Sequence, residues 1–166
     1  MEPKVKRTKT PMQALNSLMN LCARSEKCSS DALRLMRGWG VADADAQRVL
    51  QRLIAERFID DSRYTSAFVR EKINLSGWGV YKITAALRRK GIDSATIAAA
   101  IAENGSVDMT ERLTELLRRK MRTTKSKSAA DLRQKLLRYA AGQGYDFSTA
   151  RTCVEQLVKC DDEDMY

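Results

Sequence analysis

Three times in 166 residues a glycine is followed by one apolar residue and then, directly or one position later, by aspartate. The instances are Gly40-Val41 with Asp43, Gly91-Ile92-Asp93 and Gly144-Tyr145-Asp146, at spacings of 51 and 53 residues. Glycine just past one helix and aspartate just before the next are stop and start signals of α-helices. Their recurrence at a nearly fixed interval points to one structural unit used three times. In that register Met36 falls on Leu87, and Ile83 on Leu136. With a few extra residues in the first connector, Val49 and Leu53 fall on Ile97 and Ile101, and Ala150 and Val154 on the same pair. The opening helices align less well, through Leu15, Tyr64 and Leu113.

A more conspicuous match points elsewhere. The tetrapeptide GWGV stands at Gly38–Val41 and again at Gly77–Val80, 39 residues on. A 39-residue shift sets Val49 against Arg88, Leu50 against Arg89 and Leu33 against Lys72, so apolar positions meet charges. The two copies therefore belong to different joints of the repeat. Neither has the strand-to-helix setting of a phosphate loop or its Lys-Ser/Thr pair, which excludes nucleotide binding by that route.

Between these joints the chain is rich in Ala, Leu, Arg, Lys, Glu and Gln, the strong helix formers. Apolar residues recur at three- and four-residue steps, predicting nine helices and an all-α fold. Leu15, Leu18, Met19 and Cys22 line the first; Ala32, Leu33 and Met36 the second, capped by Ser29, Ser30 or Asp31. Val49, Leu50, Leu53 and Ile54 line the third, capped by Asp43 or Asp45. Tyr64, Ala67, Phe68 and Leu75 belong to the fourth, started by Asp60, Asp61 or Ser62; Val80, Ile83 and Leu87 to the fifth. Ile97 and Ile101 line the sixth, between a cap at Asp93 and a stop at Gly105. Leu113, Leu116, Leu117 and Met121 follow a start at Asp108, then Leu132, Leu136 and Leu137, then Ala150, Val154 and Leu157 after Asp146 or Ser148.

The expected organisation is a loose basic arm (1–9), three-helix repeats at 10–57, 58–106 and 107–160, and an acidic tail (161–166). Units of about 50 residues bury an apolar face poorly alone, so stacking into an elongated, curved molecule is expected.

Thirty Lys and Arg face 21 Asp and Glu, a net +9 with a pI near 9.6. Four of the acids are Asp161–Asp164; without them 17 acids face 30 bases, a net +13 on the body. Such a body suits a polyanionic partner, nucleic acid first. Two segments concentrate the charge. Lys82, Arg88, Arg89 and Lys90 lie between Val80 and Gly91 without an acid, and nine bases lie between Arg118 and Arg138 against Asp131 alone. Trp39 and Trp78, each between glycines, are expected to pack over neighbouring side chains rather than stack on bases.

Catalysis finds no support. The chain has no histidine, and the pairs Asp43/Asp45 and Asp60/Asp61 stand where helices start, where capping accounts for them. Cys22, Cys28, Cys153 and Cys160 form no C-x-x-C, and reduced thiols on cytosolic helices are expected, with no metal and no cofactor. The N-terminus lacks the apolar run of a signal peptide, and no stretch approaches the length of a membrane span, so a cytoplasmic protein without a membrane partner is expected.

The stretch LIAERFIDDSRYTSAFVREKINLSGWGVYKITAALRRKGID resembles the signature region of the RecX family, bacterial regulators of the RecA recombinase. The matching elements are FIDDSRY at Phe58–Tyr64, Phe68, Arg70, GWG at Gly77–Gly79, Lys82-Ile83, Leu87 and KGI at Lys90–Ile92. The likeness is strong over residues 30–103 and weaker across the third unit. It implies a non-enzymatic protein of three tandem three-helix repeats, monomeric, binding along the groove of the RecA–DNA filament and inhibiting or modulating its ATPase, strand exchange and coprotease activities, with some binding of DNA itself. The residues expected to meet filament or nucleic acid are Arg63, Arg70, Lys82, Arg88, Arg89, Lys90, Arg119, Lys120, Arg133 and Arg138. A stand-alone basic helical DNA binder, of helix-turn-helix type, is the alternative. Three positions depart from the family pattern: Arg57 replaces a usual glycine, Val80 a frequent proline and Thr84 a frequent base. Arginine resists a left-handed helix stop.

Overall fold

The computed structural model describes residues 8–104 and 108–163, with side chains as far as Lys159. Nine helices and no strand occur among these residues. They are α1 (Pro11–Arg24), α2 (Ser29–Gly38), α3 (Asp43–Ala55), α4 (Asp61–Asn74), α5 (Val80–Arg89), α6 (Ser94–Glu103), α7 (Met109–Thr123), α8 (Ala129–Gln143) and α9 (Phe147–Glu163). Helices pack in consecutive threes: α1 and α2 on α3, α4 and α5 on α6, and α7 and α8 on α9. Each set closes on its own apolar core, centred on Leu18, Met36 and Leu53 in the first, Val69, Ile83 and Leu87 in the second, and Leu113, Leu117 and Leu136 in the third. Each fully buried side chain of this size contributes about 1.5–3 kcal/mol. The cores trade residues at their edges: Cys28, which precedes α2, lies in the second core, and Met109 packs against both the second and third.

The repeated joint is the same turn three times. Gly40, Gly91 and Gly144 have φ of +72°, +76° and +91°. In each, the amide after the glycine donates to the carbonyl five residues back: Val41 to Met36 (3.0 Å), Ile92 to Leu87 (3.2 Å), Tyr145 to Ala140 (3.2 Å). This left-handed stop satisfies the last carbonyls of α2, α5 and α8 and drives the next apolar residue inward. Val41, Ile92 and Tyr145 are all buried.

The two GWGV segments do different work. Gly40 of the first stops α2. In the second, Gly77 (φ +66°) turns the connector that follows α4 and Gly79 is the residue from which α5 starts. The tryptophans pack on neighbours: Lys9 Nζ lies 3.9 Å from the Trp39 ring centroid, and Trp78 meets Phe68 edge to face at 6.3 Å.

Several expectations need correction. Ile54, Leu75 and Val80 are exposed, because they sit at helix ends beyond the packed stripe, while Val69 and Ile73 carry the core face of α4. Asp43 and Asp45 are not caps: Ala42 occupies that position, and the two acids lie in the first turn, where they favour the helix dipole. Asp60, Asp93, Asp108, Ser128 and Asp146 do accept amide hydrogens at helix starts. Arg57 adopts φ +60°, so the left-handed turn persists without glycine. Thr8 and Lys9, read as part of a loose arm, are held: the Lys9 amide donates to the Trp39 carbonyl at 3.0 Å. Residues 1–7, Gly105, the acidic side chains of the tail and the side chain of Cys160 lie outside the described residues.

Candidate interaction surface

The ten cations expected at a partner surface fall into three environments. Two of them bind the first unit to the second. Arg63, in the first turn of α4, donates from Nε to Glu26 at 2.7 Å and from its terminal nitrogen to the Arg57 and Phe58 carbonyls at 3.2 and 3.3 Å. Lys90, just past α5, donates to both oxygens of Asp31 at 2.9 and 3.1 Å. Burial pulls the Asp31 carboxyl upward, but hydrogen bonds from Lys90 and the Cys28 thiol outweigh it, and the group titrates below the usual aspartate range. For Lys90, burial works downward and the Asp31 carboxylate more than compensates, raising its pKa. Asp61 completes this seam by accepting the Ser29 amide at 2.8 Å. Cys28 caps α2 in position but not with its side chain, so a carboxylate from the next unit takes over.

The seam between the second and third units is made of backbone. The Gly79 and Tyr81 amides at the start of α5 donate to the Gln143 and Gly144 carbonyls at the end of α8, at 2.7 and 3.0 Å. The unpaired amides of one helix start thus meet the unpaired carbonyls of another helix end, so ends of opposite partial charge face each other. A Cβ at Gly79 would collide with the Gly144 carbonyl and the Tyr145 amide, so only glycine permits this approach. Arg112 adds a side-chain clamp, donating to the Ile73 carbonyl at 2.9 Å and to Asn74 Oδ1 at 2.7 Å. Lys82 stands at this seam, its ammonium 4.5 Å from the Trp78 ring centroid.

The remaining candidates present charge to solvent. Arg70, Arg88 and Arg89 are exposed and have no carboxylate partner among the described residues. Arg119 is exposed and pairs with Glu115 at 3.0 Å, an i, i+4 contact of small energetic weight. Arg133 is half-buried on α8 and helps hold Glu155 below the usual glutamate range, after the larger contribution of Arg151. Lys120 and Arg138 come together in a cleft of about 440 Å3 between the end of α7 and the middle of α8. Lys125 and Lys135 join them there, although sequence reasoning counted these two only as part of a basic run. Arg112 was missed altogether; its only sequence signal is its place one turn into a helix that follows the second repeat. Among the described residues no group of three His, Cys, Asp or Glu side chains is placed to hold a metal, and no helix is long and apolar enough to cross a membrane.

Residues 60–101 match the sequence family described as RecX, second three-helix domain, and residues 107–154 match RecX, third three-helix domain. The regulatory protein RecX of Pseudomonas savastanoi pv. phaseolicola is 33% identical over 111 residues, spanning 67% of this chain and 70% of that protein. The chain belongs to the RecX family. A longer correspondence, 30% identity over 142 residues, links it to the regulatory protein RecX of Xanthomonas campestris pv. campestris and covers 86% of this chain and 84% of that one. The crystal structure of RecX from Lactobacillus salivarius superposes with a TM-score of 0.72 at 18% identity, over 89% of this chain and 96% of that chain. A second RecX crystal structure gives 0.77 at 21% identity, over 90% and 72%. At these identities the two structures speak to the fold alone, and they place the row of three-helix repeats within it.

Proposed function

We propose that this RecX-family chain is a non-catalytic regulator of a RecA-type recombinase, acting in the cytoplasm as a monomer that docks along the groove of the recombinase–DNA filament and inhibits it. One observation carries the reading: in a chain whose relatives are named regulatory proteins, Arg70, Arg88 and Arg89 stand exposed and without carboxylate partners among the described residues. Cations in that state are available to acidic protein surface or to phosphates along a filament. Arg63 and Lys90 serve first as ties between units, so their contribution to a partner is through the relative placement of the first two repeats. Lys82, Arg119, Lys120, Arg133 and Arg138 carry further positive charge on the second and third repeats.

The test is the ATPase rate of the cognate recombinase on single-stranded DNA. It is titrated with the wild type, then with a variant carrying Lys82→Glu, Arg89→Glu, Arg119→Glu and Arg133→Glu. Inhibition by the wild type and its loss in a variant with unchanged helix content is the expected outcome. Tight DNA binding by a wild type that leaves the ATPase unaffected would favour the stand-alone DNA binder.

A further inference from the structure

The basic run of the third repeat is not one surface. Arg118 and Arg119 lean toward Glu115 on one side of α7, at 4.0 and 3.0 Å. On the other side Lys120, Lys125, Lys135 and Arg138 line the cleft between α7 and α8, with Tyr139 and Thr124. We infer that this cleft is a binding site for a run of adjacent phosphate groups.

The cleft is built rather than incidental. Lys135 donates to the Lys125 carbonyl and to Asp131, each at 2.8 Å, and the Lys127 amide donates to the same Asp131 oxygen at 3.0 Å. These bonds fold the α7–α8 connection back onto α8 and fix where Lys125 is presented. Asp131 is thereby occupied, and no carboxylate lines the cleft. Lys120, Lys125 and Arg138 form no ion pair among the described residues, so three like charges share one concavity, while Asp131, whose charge Arg138 also feels, is bonded to Lys135. Mutual repulsion of that kind is relieved by an anion carrying more than one charge.

A helix C-terminus would ordinarily repel such a ligand through its free carbonyls. Here the Thr123 and Thr124 hydroxyls both donate to the Lys120 carbonyl, at 3.1 and 2.7 Å, and blunt that negative edge. Lys120 Nζ lies 5.3 Å from the Tyr139 ring centroid, which orders the ammonium without neutralising it. Arg138 offers a planar fork suited to two oxygens of one phosphate, and the lysines act as point charges on its neighbours. The ligand class is therefore a chain of phosphates, supplied either by a nucleic-acid backbone or by a free oligophosphate.

The experiment uses the full chain without any recombinase, so its failure would leave the filament reading standing, and failure of that reading would leave this site standing. Tripolyphosphate is titrated by calorimetry and a labelled oligothymidylate by fluorescence anisotropy. Each is run on the wild type, on Lys120→Gln with Arg138→Gln, on Lys125→Gln alone, and on a control carrying Arg37→Gln with Arg48→Gln, which removes equal charge from exposed positions in the first repeat. The double cleft variant is expected to weaken binding by about tenfold or more, with Lys125→Gln intermediate and the control nearly unchanged. For the oligonucleotide the slope of log affinity against log salt should also fall by about 1.4, because two phosphates of a single strand would no longer be neutralised. Cleft-specific loss for tripolyphosphate assigns the site to free oligophosphates; the same loss for the oligonucleotide alone assigns it to a backbone. Absence of binding by both probes, or equal losses in cleft and control variants with native thermal midpoints, overturns the inference.

Discussion

Arg57→Gly is expected to stabilise the protein, and the magnitude follows from one dihedral. Arg57 closes the turn after α3 with φ +60°. A non-glycine residue there costs about 1–2 kcal/mol through the approach of Cβ to its own backbone. Glycine removes that cost but gives the unfolded chain more freedom, returning about 0.5–1 kcal/mol. The side chain is exposed, and the group that Arg63 contacts is the Arg57 carbonyl, which glycine retains. The net expectation is a gain of about 0.5–1 kcal/mol, or about 1–4 °C in thermal midpoint for a chain of this length. Urea unfolding should show a higher midpoint at an unchanged slope. The reciprocal change is Gly91→Ala, at φ +76° with no atom within 4 Å of the added Cβ, so the loss of about 1 kcal/mol it should produce is conformational alone. An Arg57→Gly protein no more stable than the wild type, beside a destabilised Gly91→Ala, would refute the idea that strain is stored at Arg57.

Gly79→Ala should loosen the second seam, because its Cβ enters the Gly144–Tyr145 backbone; a loss of about 1–3 kcal/mol is expected in urea, with the amides of the third repeat exchanging faster. The Asp31–Lys90 pair sets a pH window. Asp31 has a lowered pKa, so its contribution is complete above the ordinary aspartate value near 4 and fades as pH falls through the lower folded value. Lys90 has a raised pKa, so its contribution holds below about 10.4 and fades as pH rises through the higher folded value. Asp31→Asn should cost about 1–2 kcal/mol at pH 7, and the gap between wild type and variant urea midpoints should shrink as pH is lowered below 4.

Much of the fold is legible in the sequence because each three-helix unit is decided locally. A glycine that must take positive φ, the apolar residue behind it and the aspartate that starts the next helix lie within four positions of one another, and the interval between sets is visible without any structure. Helical periodicity also finds the inward face of α5 at Ile83 and Leu87, though it overreaches at Val80, where the helix has only begun. The seams are another matter. Asp61 reads as a start signal for its own helix but accepts an amide 32 residues earlier, and Lys90 reads as an exposed base but finds Asp31 at a distance of 59 residues. Such pairings depend on how one unit is rotated against the next, which a 3.6-residue period does not encode. The cleft of the third repeat is legible as a concentration of charge but not as a shape, since the backbone reversal that presents Lys125 is held by the side chains of Asp131 and Lys135.

The unequal seams bear on how such a row can change in length. A carboxylate and two cations link the first repeat to the second, and side chains of this kind can be exchanged one mutation at a time. The second and third repeats share main-chain groups through a pair of glycines that must be kept or lost together. A chain cut before α7 would leave the amides of α5 facing water, and an extra unit inserted at that point would need to supply both a helix end and a facing glycine. On these contacts, gain or loss of a repeat should disturb less at the amino-terminal seam than between the second and third repeats.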